Sequence, residues 1–139
     1  MTANELLRYE IDQVGFQIRA CLDDMPEAGM DAPCGPGAMS PRDLLEHMCE
    51  AYVALIASCQ GKKHEWGSFS VSDKSTDNLK STYFTTREQA VEAVLAKDDD
   101  ASIKHAYDFV VGHDNYHVGQ FVLSRLQVQP DWNSYAIYG

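Results

Sequence analysis

His113 and His117 stand four residues apart in the run His113-Asp114-Asn115-Tyr116-His117-Val118-Gly119-Gln120. On an α-helix that spacing leaves two side chains about 40° apart around the axis and one turn apart along it, so two imidazoles placed this way can chelate one metal ion. Both interrupt an apolar stripe formed by Ile103, Ala106, Val110, Phe121, Ser124 and Val128. Imidazoles in a core are costly unless they bind something, the plain alternative being a pair of hydrogen-bonded core histidines. A third ligand has to come from another helix. His47 qualifies, because it falls in the second turn of a predicted helix on the flank of its apolar stripe. His64, between Lys63 and Glu65 in a polar segment, is expected to be solvated, and His105 lies about 80° around the helix from His113. Cys49, two residues from His47, points away from anything His47 binds. Glu50, three residues after His47, and Asp114, next to His113, are the candidates to orient a ligand imidazole or move a proton. For Glu50 a solvated helix carboxylate is the alternative.

Three neutral imidazoles leave at least one coordination position open, which is the arrangement of a catalytic rather than a structural site. Such a site can lower the pKa of a water to make hydroxide, or bind and deprotonate a thiol. Imidazole suits zinc, nickel, copper and iron alike. A di-iron carboxylate centre needs two Glu-x-x-His motifs, and Asp114-x-x-His117 is the only approximation to one. No nucleophile motif and no basic cluster suited to a thiol is recognisable.

The elements that position these residues are helical. Leu7, Ile11, Val14, Ile18, Cys21/Leu22 and Met25 recur at steps of three and four, predicting a first helix that ends at Pro26. The Gly/Pro-rich stretch from Glu27 to Met39 is expected to hold no regular structure. Ser40-Pro41-Arg42-Asp43 supplies an N-cap hydroxyl, a proline at the first helical position and a carboxylate in the first turn, so a second helix starts there and runs to Gly61. Its line His47, Ala51, Ala54, Ser58 is small enough to admit another helix closely. Lys62 to Tyr83 is polar and reads as a long functional or crossover loop, although it carries Trp66 and Phe69. Thr85-Thr86-Arg87-Glu88 has the form of a capping box opening a short third helix. Asp98-Asp99-Asp100 suits the start of a fourth helix better than a calcium site, and that helix runs from Ala101 to Val128 before Pro130. With no strand and no repeat, the predicted fold is all-α, a four-helix bundle with a long crossover between helices two and three.

At 139 residues the chain is expected to be one domain, 1–139, with a self-sufficient core. A net charge of −10, with no basic run longer than Lys62-Lys63, argues against nucleic acid and anionic lipid as partners. The start Met1-Thr2-Ala3-Asn4-Glu5 is unlike a signal peptide and no segment is long and apolar enough to span a bilayer, so a soluble cytoplasmic protein is expected. Cys21, Cys34, Cys49 and Cys59 show no C-x-x-C spacing and are expected to be reduced, with Cys34 unreactive because no basic neighbour activates it. Tyr116, Trp132, Tyr135 and Tyr138 are expected to pack over a helix end or a subunit seam rather than build a pocket.

The stretch Ser40-Pro41-Arg42-Asp43-Leu44-Leu45-Glu46-His47, followed by the H-x-x-x-H-x-G-Q run from His113 to Gln120, resembles the DinB/YfiT-like family of metal-dependent enzymes, across the whole chain in length and helix order. The resemblance implies that His47, His113 and His117 are three metal ligands, that zinc or next nickel is the ion with water completing its coordination, and that the protein is a homodimer. It also implies a choice of chemistries, since branches of that family are S-transferases and isomerases using low-molecular-weight thiols. Two readings from different classes follow. One is an enzyme that activates a thiol (S-transferase type) or water (hydrolase type) against a small substrate in an apolar pocket beside the metal, roofed by the Lys62 to Tyr83 loop. The other is a non-catalytic dimeric module with a structural or vestigial metal site.

Overall fold

The computed structural model describes residues 1–139, which fold without a strand into α1 (Ala3–Leu22), α2 (Glu27–Met30), α3 (Pro41–Cys59), α4 (Thr76–Lys97), α5 (Asp100–Ala106), a π turn (Tyr107–Gly112), α6 (His113–Val128) and a terminal 3₁₀ helix (Ser134–Tyr138). The chain starts its first helix earlier than its apolar period requires, because Thr2 and Glu5 form a reciprocal capping box there. The stripe Leu7, Ile11, Val14, Ile18, Cys21 and Leu22 is buried as its spacing predicts. Beyond α1 the backbone turns at Asp24, which takes a left-handed φ of 55°. The Arg125 guanidinium of α6 closes that end by donating to the carbonyls of Cys21 at 3.0 Å and Asp23 at 2.7 Å.

Two expectations fail in the connections. The stretch after Pro26 does contain one helical turn, α2, held because Met30 is fully buried and Gly29 lies against Met25 and Val128. A Cβ at Gly29 would meet those side chains at 3.0–3.1 Å, so the close approach depends on glycine. The loop before α4 covers 60–75 rather than Lys62 to Tyr83, and Thr85-Thr86-Arg87-Glu88 does not open a helix but lies in the middle of α4. There the Thr86 hydroxyl donates back to the Thr82 carbonyl at 2.7 Å instead of capping. Leu79 and Tyr83, both fully buried, pull the Ser/Thr-rich first half of α4 into helix against its weak propensity.

The second helix starts as predicted, with the Ser40 hydroxyl accepting from the Asp43 N–H at 3.3 Å and Pro41 in the first turn. Asp99 caps α5 by accepting from the Ser102 N–H at 2.8 Å, which gives the acidic run its structural use. The predicted fourth helix keeps helical backbone from Asp100 to Val128 but is interrupted by the π turn, whose wider winding precedes His113 directly. One core joins α1, α3, α4 and the α5–α6 run, with α4 packed chiefly on α3 and α6 chiefly on α1. Loop 60–75 adds Phe69 and Val71 to that core. No helix is long and apolar enough to cross a membrane.

Candidate metal centre

The cap at Ser40 fixes the phase of α3, placing Leu44, Leu45, Met48, Cys49 and Tyr52 inward and leaving His47 half-buried on the flank. Opposite it the π turn delivers His113 at the start of α6, with His117 one turn on and 5 % exposed. Their Nε2 atoms converge. His113 Nε2 lies 3.2 Å from that of His47 and 3.0 Å from that of His117, and all three nitrogens fall within 4.8 Å of one another. Imidazole nitrogens bound at 2.0–2.1 Å in a tetrahedral site are separated by about 3.3 Å, close to these values. The rings meet at steep angles, 59°, 82° and 89°, so they stand tilted or edge-on to one another rather than stacked face to face.

A partner on the other ring nitrogen sets the tautomer of His117. His117 Nδ1–H donates to Gln120 Oε1, which leaves Nε2 bare. Burial, followed by the neighbouring His113, lowers the pKa of His47. Burial also lowers that of His117, against the opposing pull of Gln120. Both are thus held neutral near neutral pH, the form that ligates metal.

Behind His113 stands Asp114, fully buried. Its Oδ2 accepts from the Tyr52 hydroxyl at 2.6 Å and from Arg87 Nε at 3.1 Å. Because the Tyr52 proton goes to Asp114, the Tyr83 hydroxyl donates to the Tyr52 oxygen at 2.8 Å. Burial first and Asp114 second raise the pKa of both phenols well above the ordinary value, so they remain donors. Arg87 also reaches the Ile11 carbonyl at 2.8 Å, in space left by Gly15, where a Cβ would meet its Nη1 at 2.8 Å. The remaining Asp114 oxygen, Oδ1, has no partner and faces the equally unpartnered His113 Nδ1 at 3.8 Å.

The structure places two residues differently from expectation. Glu50 makes no hydrogen bond to the three imidazoles: its Oε1 accepts from His64 Nε2 at 2.9 Å and from the Gly67 N–H at 2.6 Å, fastening loop 60–75 to α3. His64, expected in solvent, has a side chain only 10 % exposed as a result. Cys49 is buried on the inner face of α3, where burial pushes its thiol up to about 12. His105 lies outside the cluster, and no disulfide joins the four cysteines. Gln120, Tyr52, Tyr83 and Arg87 were not foreseen. The i, i+3 spacing from His117 to Gln120 was a usable signal; the other three sit on α3 and α4, far in sequence from Asp114, and carried none.

Trp132 packs on the Arg125 guanidinium at 4.4 Å, while Tyr116, Tyr135 and Tyr138 are exposed. No protein-family model matches the chain, and no curated protein and no solved structure matches it either.

Proposed function

We propose that this chain is a divalent-metal protein of the DinB/YfiT type, a homodimeric four-helix bundle with a crossover between α3 and α4. His47, His113 and His117 would hold one zinc ion, or nickel in its place, and leave a position for a low-molecular-weight thiol or a water. The observation that carries the reading is the convergence of three Nε2 atoms at 3.0 and 3.2 Å across two helices. Proton placement supports it. With its proton on Nε2, His113 turns a bare Nδ1 lone pair toward the buried Asp114 carboxylate; with its proton on Nδ1, its bare Nε2 faces the bare Nε2 of His117 at 3.0 Å. A cation among the Nε2 atoms removes that conflict, because His113 can then direct its Nδ1 proton at Asp114.

When bound, such an ion supplies Lewis acidity, lowering the pKa of a thiol or water at the open position. The chain does the rest. Gln120 holds the His117 ring, Asp114 faces the His113 ring with its other oxygen fixed by Tyr52 and Arg87, and the apolar core excludes water from the inner side. On the outer side His47 faces a solvent-open hollow of about 350 Å³ that also meets Glu46, Glu50 and Phe69, giving a small molecule a route in. Cobalt(II) titration tests this reading. Strong visible absorption that changes when a small thiol is added is the expected result, while a spectrum indifferent to thiol and to azide would leave no open position and favour the non-catalytic module.

A further inference from the structure

A second cavity, separate from the hollow at His47, lies further along α3 and the α5–α6 run. Ala51 follows His47 by one turn and Phe109 comes four residues before His113. At that level this cavity of about 390 Å³ opens, with Ala51, Ala54 and Leu55 of α3 as its floor. The small residues that promised close approach of another helix instead leave this space. One wall is His64 and Trp66 from loop 60–75, and the other is His105 and Phe109 from α5 and the π turn.

Each wall is an imidazole set edge-on to an aromatic ring, with centroids 5.1 Å apart at 89° in the first and 6.3 Å apart at 78° in the second. The first wall is tied to α3 through the bond from His64 to Glu50. Trp66 is nevertheless 58 % exposed and Phe109 39 %. Large rings that line one cavity and are left partly in water gain burial when something of matching polarity fills it.

Charge narrows what that is. Lys62 and Lys63 line the rim, neither makes an ion pair, and no acidic residue lines the cavity. In a chain of net charge −10, two ammonium groups without counterions beside an apolar hollow form a local reversal of the protein's field. We propose that the cavity binds an amphipathic organic anion, its aromatic or branched body between Trp66 and Phe109 and its carboxylate or phosphate at Lys62 and Lys63. As the place where a substrate waits beside the histidines, the cavity rests on the metal reading above; as a binding site it does not.

The chain has two tryptophans, so Trp132→Phe leaves Trp66 as the only indole reporting on the cavity. In that background the emission is titrated with 4-phenylbutyrate, phenyl phosphate and 4-phenylbutylamine. At least one anion is expected to bind with a Kd about tenfold or more below that of the amine, the tighter anion identifying the headgroup. Replacing both lysines, Lys62→Gln with Lys63→Gln, is expected to abolish the preference, and Ala54→Leu, which fills the floor, to weaken all three probes. Absence of binding, an amine bound as well as the anions, or a preference that survives loss of both lysines would overturn the proposal. Metal uptake measured on the same wild-type protein separates the two readings: anion binding by wild type that takes up no metal even after reconstitution upholds the cavity and sinks the metal, and metal uptake by wild type without anion binding does the reverse.

Discussion

Two carboxylate clusters grip α3 from opposite sides, and they differ in what water can reach. On the inner side Asp114 is fully buried and is held by Tyr52 and Arg87, donors on α3 and α4. On the outer side Glu46 and Glu50 collect the Val71 and Gly67 N–H groups, Lys74 and His64, all from loop 60–75. The same functional group thus does two jobs. A charge withdrawn from water is expensive to leave unpaired, so the inner cluster fixes the backing of His113 to the fold itself. The outer carboxylates keep part of their surface in water, 23 % of the Glu46 side chain and 14 % of that of Glu50, so they cost less to release and the outer cluster clasps a loop while adding less to stability than the inner one.

The largest break in that contrast comes from removing the inner cation. Arg87→Ala leaves the Asp114 charge buried with only Tyr52 beside it and is expected to cost about 3–5 kcal/mol in urea unfolding. A loss below about 1 kcal/mol would show that water reaches Asp114. Asp114→Asn keeps the shape but removes the charge facing His113, and should weaken metal affinity about 10–100-fold while the helices persist. Titration with a competing chelator, alongside circular dichroism, reads both quantities.

The smallest effect belongs to the outer clasp. Glu50→Gln should change unfolding free energy by no more than about 1 kcal/mol and leave metal content as in wild type. Its pH dependence sharpens the point. The hydrogen bond from His64, then that from the Gly67 N–H, hold the Glu50 carboxyl below its ordinary range. A folded-state pKa below the unfolded one gives stability that is present above the unfolded carboxyl range, about pH 4.3, and is lost as pH falls through the lower folded value. The stability difference between wild type and Glu50→Gln should therefore be greatest near neutrality and shrink in acid. A difference that grows as pH falls would reverse the assigned sign.

The inner and outer clusters also differ in how far they could be read from residues alone. Helical periodicity located α1, α3 and α6 and put His47, His113 and His117 on facing flanks, because burial repeats every three to four residues and leaves a signal in one short window. The first half of α4 left no such signal: Thr76 to Phe84 is rich in Ser, Thr and Lys, and only packing of Leu79 and Tyr83 makes it helical. Thr85 and Glu88 carried the spacing of a capping box without its setting, since nothing local distinguishes a helix start from a helix middle once tertiary contacts extend the helix. The π turn before His113 had no marker. The partners of Asp114 lie 27 and 62 residues away in sequence, and the clasp joining Glu50 to His64 spans 14, so each depended on the folded topology rather than on neighbours. For the same reason Lys62 and Lys63 read as an isolated basic pair until the fold set them on the rim of a cavity walled by His64 and His105.

Metal content by elemental analysis, on protein purified without an affinity tag, tests the three-histidine site most directly when wild type and His47→Ala are measured together. The account predicts about one zinc or nickel per chain in wild type, lost in His47→Ala with the helical signal unchanged. Wild-type protein that takes up no metal even after reconstitution, or His47→Ala that retains it in full, would contradict it.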